Sequence, residues 1–192
     1  MITPPVATRL WLEQQWIEHI QLLVPNGIRR EFSAFKFNKP EAVVVGDMGA
    51  GFTFQKLNDA FRTLMANPQS QLVALGMTRY FAAADGLQLD AGPFVKALEY
   101  ATGKTAVVMG KPAVDFFQLA LNSIQAEAGE TLMLGDDRMG DVLGAQNSGI
   151  HGCLVKTGKY RPGDEAADEQ GQKPEYLLDS VSALPELWAA LT

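Results

Sequence analysis

The stretch TLMLGDDRMGD, residues 131–141, decides how this chain is read. Its apolar half, ending at Gly135, is too short for a core helix and has the continuous character of a strand covered on both faces. Asp136 and Asp137 stand just past the strand end, and Asp141 lies about one turn into the helix expected next. Carboxylates at the C-terminal end of a parallel strand sit where open α/β sheets bind ligands. Several of them together repel one another unless a cation neutralises them, and an all-oxygen set favours Mg²⁺ over Zn²⁺. The plainer use of Asp136 or Asp137 is to cap the following helix, which Asp does well. One acid suffices for a cap, so the additional acids carry the metal reading.

Outward from this stretch, short Val- and Leu-rich runs bounded by Gly, Pro or Asn recur: IQLLVPN, AVVVGDMG, QLVALG, TAVVMGKP, GCLVKTG and EYLLDS. Between them lie amphipathic segments of helix length at about residues 6–16, 54–65, 92–101, 113–126, 139–147 and 184–191. The fourth carries a wide apolar stripe of Phe116, Phe117, Leu119, Ala120, Leu121 and Ile124, with Pro112 suited to its first turn. Alternating strands and helices define an α/β protein with buried, largely parallel sheet. Four strand candidates and three helices precede residue 108 and form one expected domain, 1–108; the acidic strand belongs to a second, 109–192. The stretch RPGDEAADEQGQKP, residues 161–174, has the charge, Gly and Pro of a solvated surface loop.

Upstream of the acids, AVVMGKP places Lys111 between a strand and a helix, where an ammonium group reaches an anion held by a metal. A lone Lys at such a position is commonly a solvated charge. Its weight comes from company: a strand-end lysine, a strand-end acid cluster and a nearby helix N-terminus together suit a phosphoryl group.

Composition narrows the partners. The 192 residues carry 16 basic and 22 acidic side chains, a formal charge of −6, and no stripe of Lys and Arg for a nucleic-acid backbone or an anionic membrane. No run is long and apolar enough to span a bilayer, and the first residues read neither as a basic leader nor as a signal core, so a cytoplasmic location is expected. The single cysteine, Cys153, reads as a small buried hydrophobe. His19 and His151 lack metal-ligand spacing and read as structural or surface residues. Trp11, Trp16, Phe32, Phe35 and Phe37 read as core or interface, the two Trp marking an expected homodimer surface. GDMGAG, residues 46–51, lacks the order of a dinucleotide-binding loop.

GKP at residues 110–112 and GDDRMGD at 135–141 resemble the lysine and acidic motifs of the haloacid dehalogenase (HAD) superfamily. DGLQLDAGPFVKALEYATG, residues 85–103, narrows the likeness to its subfamily IIA, and similarity runs through nearly the whole chain. The resemblance implies a Rossmannoid core, of which this chain holds only the C-terminal half, preceded by a large α/β cap that selects the substrate. It implies that Asp136 binds Mg²⁺, that Asp137 or Asp141 holds the metal or its waters, and that Lys111, with Gly110 beside it, contacts the phosphoryl group of a small phosphorylated substrate.

The sequence departs from the family pattern in one respect. Members attack phosphorus with an Asp in a DxD motif on the first core strand, upstream of the cap, and here the cap is expected to begin at about the first residue. Asp47, in AVVVGDMGAGFT, is the substitute to weigh as nucleophile. The position of the second acid is then Gly49, which leaves no neighbour to protonate a leaving group. In this family the nucleophile strand lies beside the strand ending in Asp136, so TLMLGDD is expected to present an unpaired apolar edge. Two functions follow as expectations: a Mg²⁺-dependent phosphohydrolase whose nucleophile lies outside this chain, or a noncatalytic module that binds a phosphorylated ligand or forms an oligomer.

Overall fold

The computed structural model describes residues 2–191. The chain forms two compact units, Met1–Lys111 and Pro112–Thr192. The class is α/β with parallel sheets, as the alternation of elements predicts.

The first unit is built on four parallel strands, β1 (Ile20–Leu23), β2 (Ala42–Val45), β3 (Gln71–Ala74) and, after the hairpin of β4 (Tyr80–Ala83) and β5 (Gly86–Leu89), β6 (Val107–Val108), in the order β1-β2-β3-β6. The run Ala42–Val45 is continuous rather than alternating because both faces of the sheet are covered. Ala42 and Val44 pack with Leu12 of α1 (Pro4–Gln14), Phe32 and Phe35 on one face. Val43 and Val45 pack with Ala60 and Leu64 of α2 (Phe54–Ala66) and with Val95 and Leu98 of α3 (Ala91–Thr102) on the other. All four β2 residues are buried, as expected of an inner parallel strand. Local chemistry ends the helices: the Thr53 hydroxyl accepts the Lys56 N–H at the start of α2. Gly103, at φ 69°, closes α3 in the left-handed conformation that glycine adopts without a Cβ penalty.

β4 (Tyr80–Ala83) and β5 (Gly86–Leu89) form an antiparallel hairpin that the apolar runs of the sequence do not mark. Every β5 residue is exposed, so the buried apolar run that marks the other strands is absent from it.

The second unit holds α4 (Val114–Ile124), β7 (Leu132–Gly135), a π-helical turn at Arg138–Leu143 running into α5 (Gly144–Gln146), β8 (His151–Val155), β9 (Tyr176–Leu178) and α6 (Leu184–Leu191). Its parallel sheet has the order β7-β8-β9. β7 pairs with β8 alone among the described strands, and its four residues are half-buried, whereas four of the five in the central β8, Gly152 to Val155, are buried. Cys153 is one of these, fully enclosed, and burial pushes its thiol pKa up.

Two local expectations change. Pro112 lies before α4, whose first residue is Val114 and whose N-cap is Ala113; Pro112 instead packs on Gly144, where an added Cβ would come within 2.9 Å of it. The α4 stripe narrows to Phe117 and Leu121 as its buried residues, and Ile124 is exposed. Amphipathicity marks the face of a helix, but the packing partners decide how wide a strip is covered.

Candidate active site at the end of β7

Strand β7 delivers Asp136 and Asp137 to the C-terminal end of the second sheet, and the π-helical turn carries Asp141 back over the same end. In that turn the Asp137 carbonyl accepts both the Asp141 N–H at 2.8 Å and the Val142 N–H at 3.3 Å, the second being the wider bond that defines a π turn. The Asp141 side chain then lies against the strand end. An added Cβ on Gly135 would meet its Oδ2 at 2.4 Å, and the Asp137 N–H points to the same oxygen at 3.4 Å. Asp141 is only 6% exposed, a burial an acid tolerates when hydrogen bonds or a cation compensate it.

The other two acids are held by the segment after β8, outside the lysine and acidic motifs. Past β8, the Lys159 N–H donates to Asp136 Oδ2 at 2.8 Å, and the Lys159 ammonium group donates to Asp137 Oδ2 at 2.9 Å. One residue earlier, Gly158 has φ +56°, and an added Cβ there would fall 1.8 Å from Asp136 Oδ2. Only glycine lets the backbone approach this closely. Asp137 also caps the π turn, its Oδ1 accepting the Gly140 N–H at 2.9 Å. The cap use of Asp137 is therefore present in the fold.

Arg138 ties down the loop beyond Lys159. Its Nη2 donates to the carbonyls of Gln172 at 2.9 Å and Ala166 at 3.2 Å and lies 3.6 Å from the Asp168 carboxylate. Residues 161–174 are mostly exposed, as their composition predicts, yet they are fastened to the acidic strand end. Lys159, Gly158 and Arg138 carry a sequence signal only once β8 is known to neighbour β7. The segment after the run GCLV, with Gly158 and Lys159, then leaves the sheet at the same end as GDD after TLML.

Lys111 and Gly110 close the first unit. Gly110 is buried, and an added Cβ would sit 2.0 Å from the Leu75 carbonyl oxygen, so close backbone packing explains this glycine. Lys111 is half-buried in the turn after β6. Asp47 is exposed; its Oδ1 accepts the Gly49 N–H at 2.8 Å, closing its own turn.

Among the described residues no group of three or more His, Cys, Asp and Glu converges as a ready metal-binding cluster. Asp137 is turned to Lys159, and the carboxylates of Asp136 and Asp141 stand at the same strand end. That donor set suits Mg²⁺, which is bound by oxygen, keeps several waters and needs only one or two carboxylates. The bare backbone at Gly135 and Gly158 leaves room for both carboxylates at the strand end.

A parallel α/β sheet with acids and a lysine at its strand end carries them where open α/β sheets bind ligands, and comparison with known proteins gives the family of the chain. The HAD-hydrolase-like family matches residues 108–184. The chain is 46% identical over 184 residues to the phospholysine phosphohistidine inorganic pyrophosphate phosphatase of Bos taurus, covering 96% of this chain and 67% of that protein. It is 45% identical over 165 residues to the bovine haloacid dehalogenase-like hydrolase domain-containing protein 2, covering 86% of this chain and 62% of that one. Among solved structures, the 4-nitrophenylphosphatase of Thermotoga maritima shares the fold at a TM-score of 0.85 and 24% identity, over 96% of this chain and 71% of its own. NagD of E. coli K-12 does so at 0.79 and 22%, over 94% and 71%. The chain belongs to the HAD-like hydrolases, and it shares the fold of the two solved phosphatases. It spans about two thirds of the length of the bovine relatives.

Proposed function

We propose that the whole protein is a Mg²⁺-dependent phosphohydrolase acting on a small phosphorylated compound, and that this chain supplies its cap and its acidic strand end. The observation that carries the reading is the placement of Asp136 and Asp141 at the end of β7 in a chain 46% identical to a named phosphatase. Asp136 and Asp141 are the proposed holders of Mg²⁺, directly or through its waters, with Asp137 beside them. Lys111 is proposed to contact phosphoryl oxygens, next to the backbone of Gly110. When bound, the cation neutralises charge that grows on the phosphoryl oxygens during transfer.

The protein's own groups do the rest. The Lys159 N–H fixes one oxygen of Asp136, and the π turn holds Asp141 against the strand end. The reading assigns the nucleophile to none of the described residues, since Asp47 closes its own turn and is followed by Gly49 rather than a second acid. No helix among the described residues is long and apolar enough to cross a membrane. A cytoplasmic location and a homodimer complete the reading; 89% exposure of Trp16, at φ +58°, supports an interface there.

The test is release of nitrophenol from 4-nitrophenyl phosphate by the whole protein, with and without Mg²⁺, beside Asp136→Ala. Hydrolysis that needs both the cation and Asp136 is expected. Mg²⁺-dependent binding of inorganic phosphate without turnover would favour a noncatalytic phospho-ligand module instead.

A further inference from the structure

Lys159 meets two adjacent carboxylates in two different ways, and the proposed reaction gives no part to the second, the contact of its ammonium group. Its backbone N–H holds Asp136 at 2.8 Å, and its ammonium group holds Asp137 at 2.9 Å. The ion pair is three-quarters buried, its side chains 25% and 22% exposed, so solvent and salt screen it less than a surface pair. Gly158 fixes where Lys159 starts, because its left-handed backbone and the 1.8 Å approach of a hypothetical Cβ to Asp136 admit no other residue without movement. The Asp137 carboxylate is fixed from the other side by the Gly140 N–H. The ammonium group therefore stands at a set place within an acidic cluster whose members repel one another.

We propose that Lys159 is a positioning residue that acts as a tethered counter-cation: it neutralises Asp137, withholds that carboxylate from the divalent cation, and thereby sets the cation affinity of the site. The inference rests on the reading of Asp136 and Asp141 as the Mg²⁺ site. A fixed positive charge beside the cluster repels a divalent cation and competes with it for Asp137, so removing the charge strengthens cation binding. It also takes one compensating positive charge from the acids when no cation is bound, so the cation-free protein loses stability that Mg²⁺ restores.

The experiment is calorimetric titration of Mg²⁺ into the whole protein, with thermal unfolding measured in EDTA and in Mg²⁺. Wild type is compared with Lys159→Met, Lys159→Arg, Asp137→Asn and the Lys159→Met/Asp137→Asn double variant. The expected result is roughly three- to tenfold tighter Mg²⁺ binding by Lys159→Met, with a lower Tm in EDTA and a larger Mg²⁺-induced rise. Lys159→Arg keeps the charge and stays near wild type. In the Asp137→Asn background the Lys159→Met gain shrinks, because the carboxylate it releases is gone.

Weaker or unchanged Mg²⁺ binding by Lys159→Met, with Tm lowered equally in both buffers, overturns the proposal and leaves Lys159 a structural brace. If Lys159→Met does not fold, the Lys159→Arg and Asp137→Asn affinities decide: a several-fold change for Lys159→Arg overturns it. A wild type that binds no Mg²⁺ sinks the metal reading itself, and this proposal with it. That outcome is distinct from a wild type that binds while Lys159→Met shows no gain.

Discussion

The Lys159 N–H reaches from the segment after β8 to the Asp136 carboxylate at the end of β7, 2.8 Å away, and Gly158 is what makes that reach possible. Gly158→Ala would force a methyl group into Asp136 Oδ2 and a left-handed backbone on an alanine. The expected cost is about 1 to 3 kcal/mol, read as a lower denaturation midpoint in urea with unchanged slope. A neutral effect would show that residues 156–160 shift at no cost.

Asp136 and Lys111 are expected to fail differently. Asp136→Ala should abolish Mg²⁺ binding in a calorimetric titration, since it removes the carboxylate at the strand end. Lys111→Ala should leave Mg²⁺ binding in place and slow turnover by about 10²- to 10³-fold, the scale for losing one charge-stabilising group. Equal Mg²⁺ affinities in Asp136→Ala and wild type would refute the metal assignment.

Arg138 should govern how firmly residues 161–174 are held. It donates to the Ala166 and Gln172 carbonyls, and Arg138→Ala removes both bonds. Limited digestion in this loop by a glutamate-specific protease, at Glu165 or Glu169, should speed up by about tenfold, the factor for ~1.4 kcal/mol of easier opening. An unchanged cleavage rate would mean that other contacts hold the loop.

His151 gives a pH dependence of definite sign. Its Nδ1 lies 2.6 Å from Glu175 Oε2 and its Nε2 3.1 Å from the Gly129 carbonyl oxygen, so the doubly protonated ring satisfies both acceptors. The bond to Glu175, and then its charge, raise the His151 pKa above its ordinary 6.5, while partial burial opposes. A raised folded-state pKa contributes stability that is full below the unfolded value and is lost as pH rises through the folded one. His151→Gln should therefore lower Tm most near about pH 6 and hardly at all near about pH 9. The opposite trend would mean that the neutral ring is the bound form.

Much of the fold is legible in the sequence because burial on both faces leaves continuous apolar runs. AVVV, QLVA and GCLV each mark a strand, and Leu184–Leu191 is a helix where the amphipathic segment predicts one. The hairpin of Tyr80–Ala83 and Gly86–Leu89 escaped because its second strand buries nothing, so its pattern carries no core signal. The acids at 136, 137 and 141 were visible as a cluster. Their division of labour was not, because Asp137 is claimed by a lysine 22 residues further on.

By itself, the sequence determined the class of the chain, the strand that ends at Gly135, the acids beyond it and the family it belongs to, since these depend on residue type and short spacing. The tertiary structure alone decided that β8 lies beside β7, and therefore that Gly158 and Lys159 meet Asp136 and Asp137 and that Arg138 fastens the loop after them. The physical reason is range: a periodic pattern reports which face of an element is buried, whereas a hydrogen bond across parallel neighbours depends on strand order and register, which no local pattern encodes.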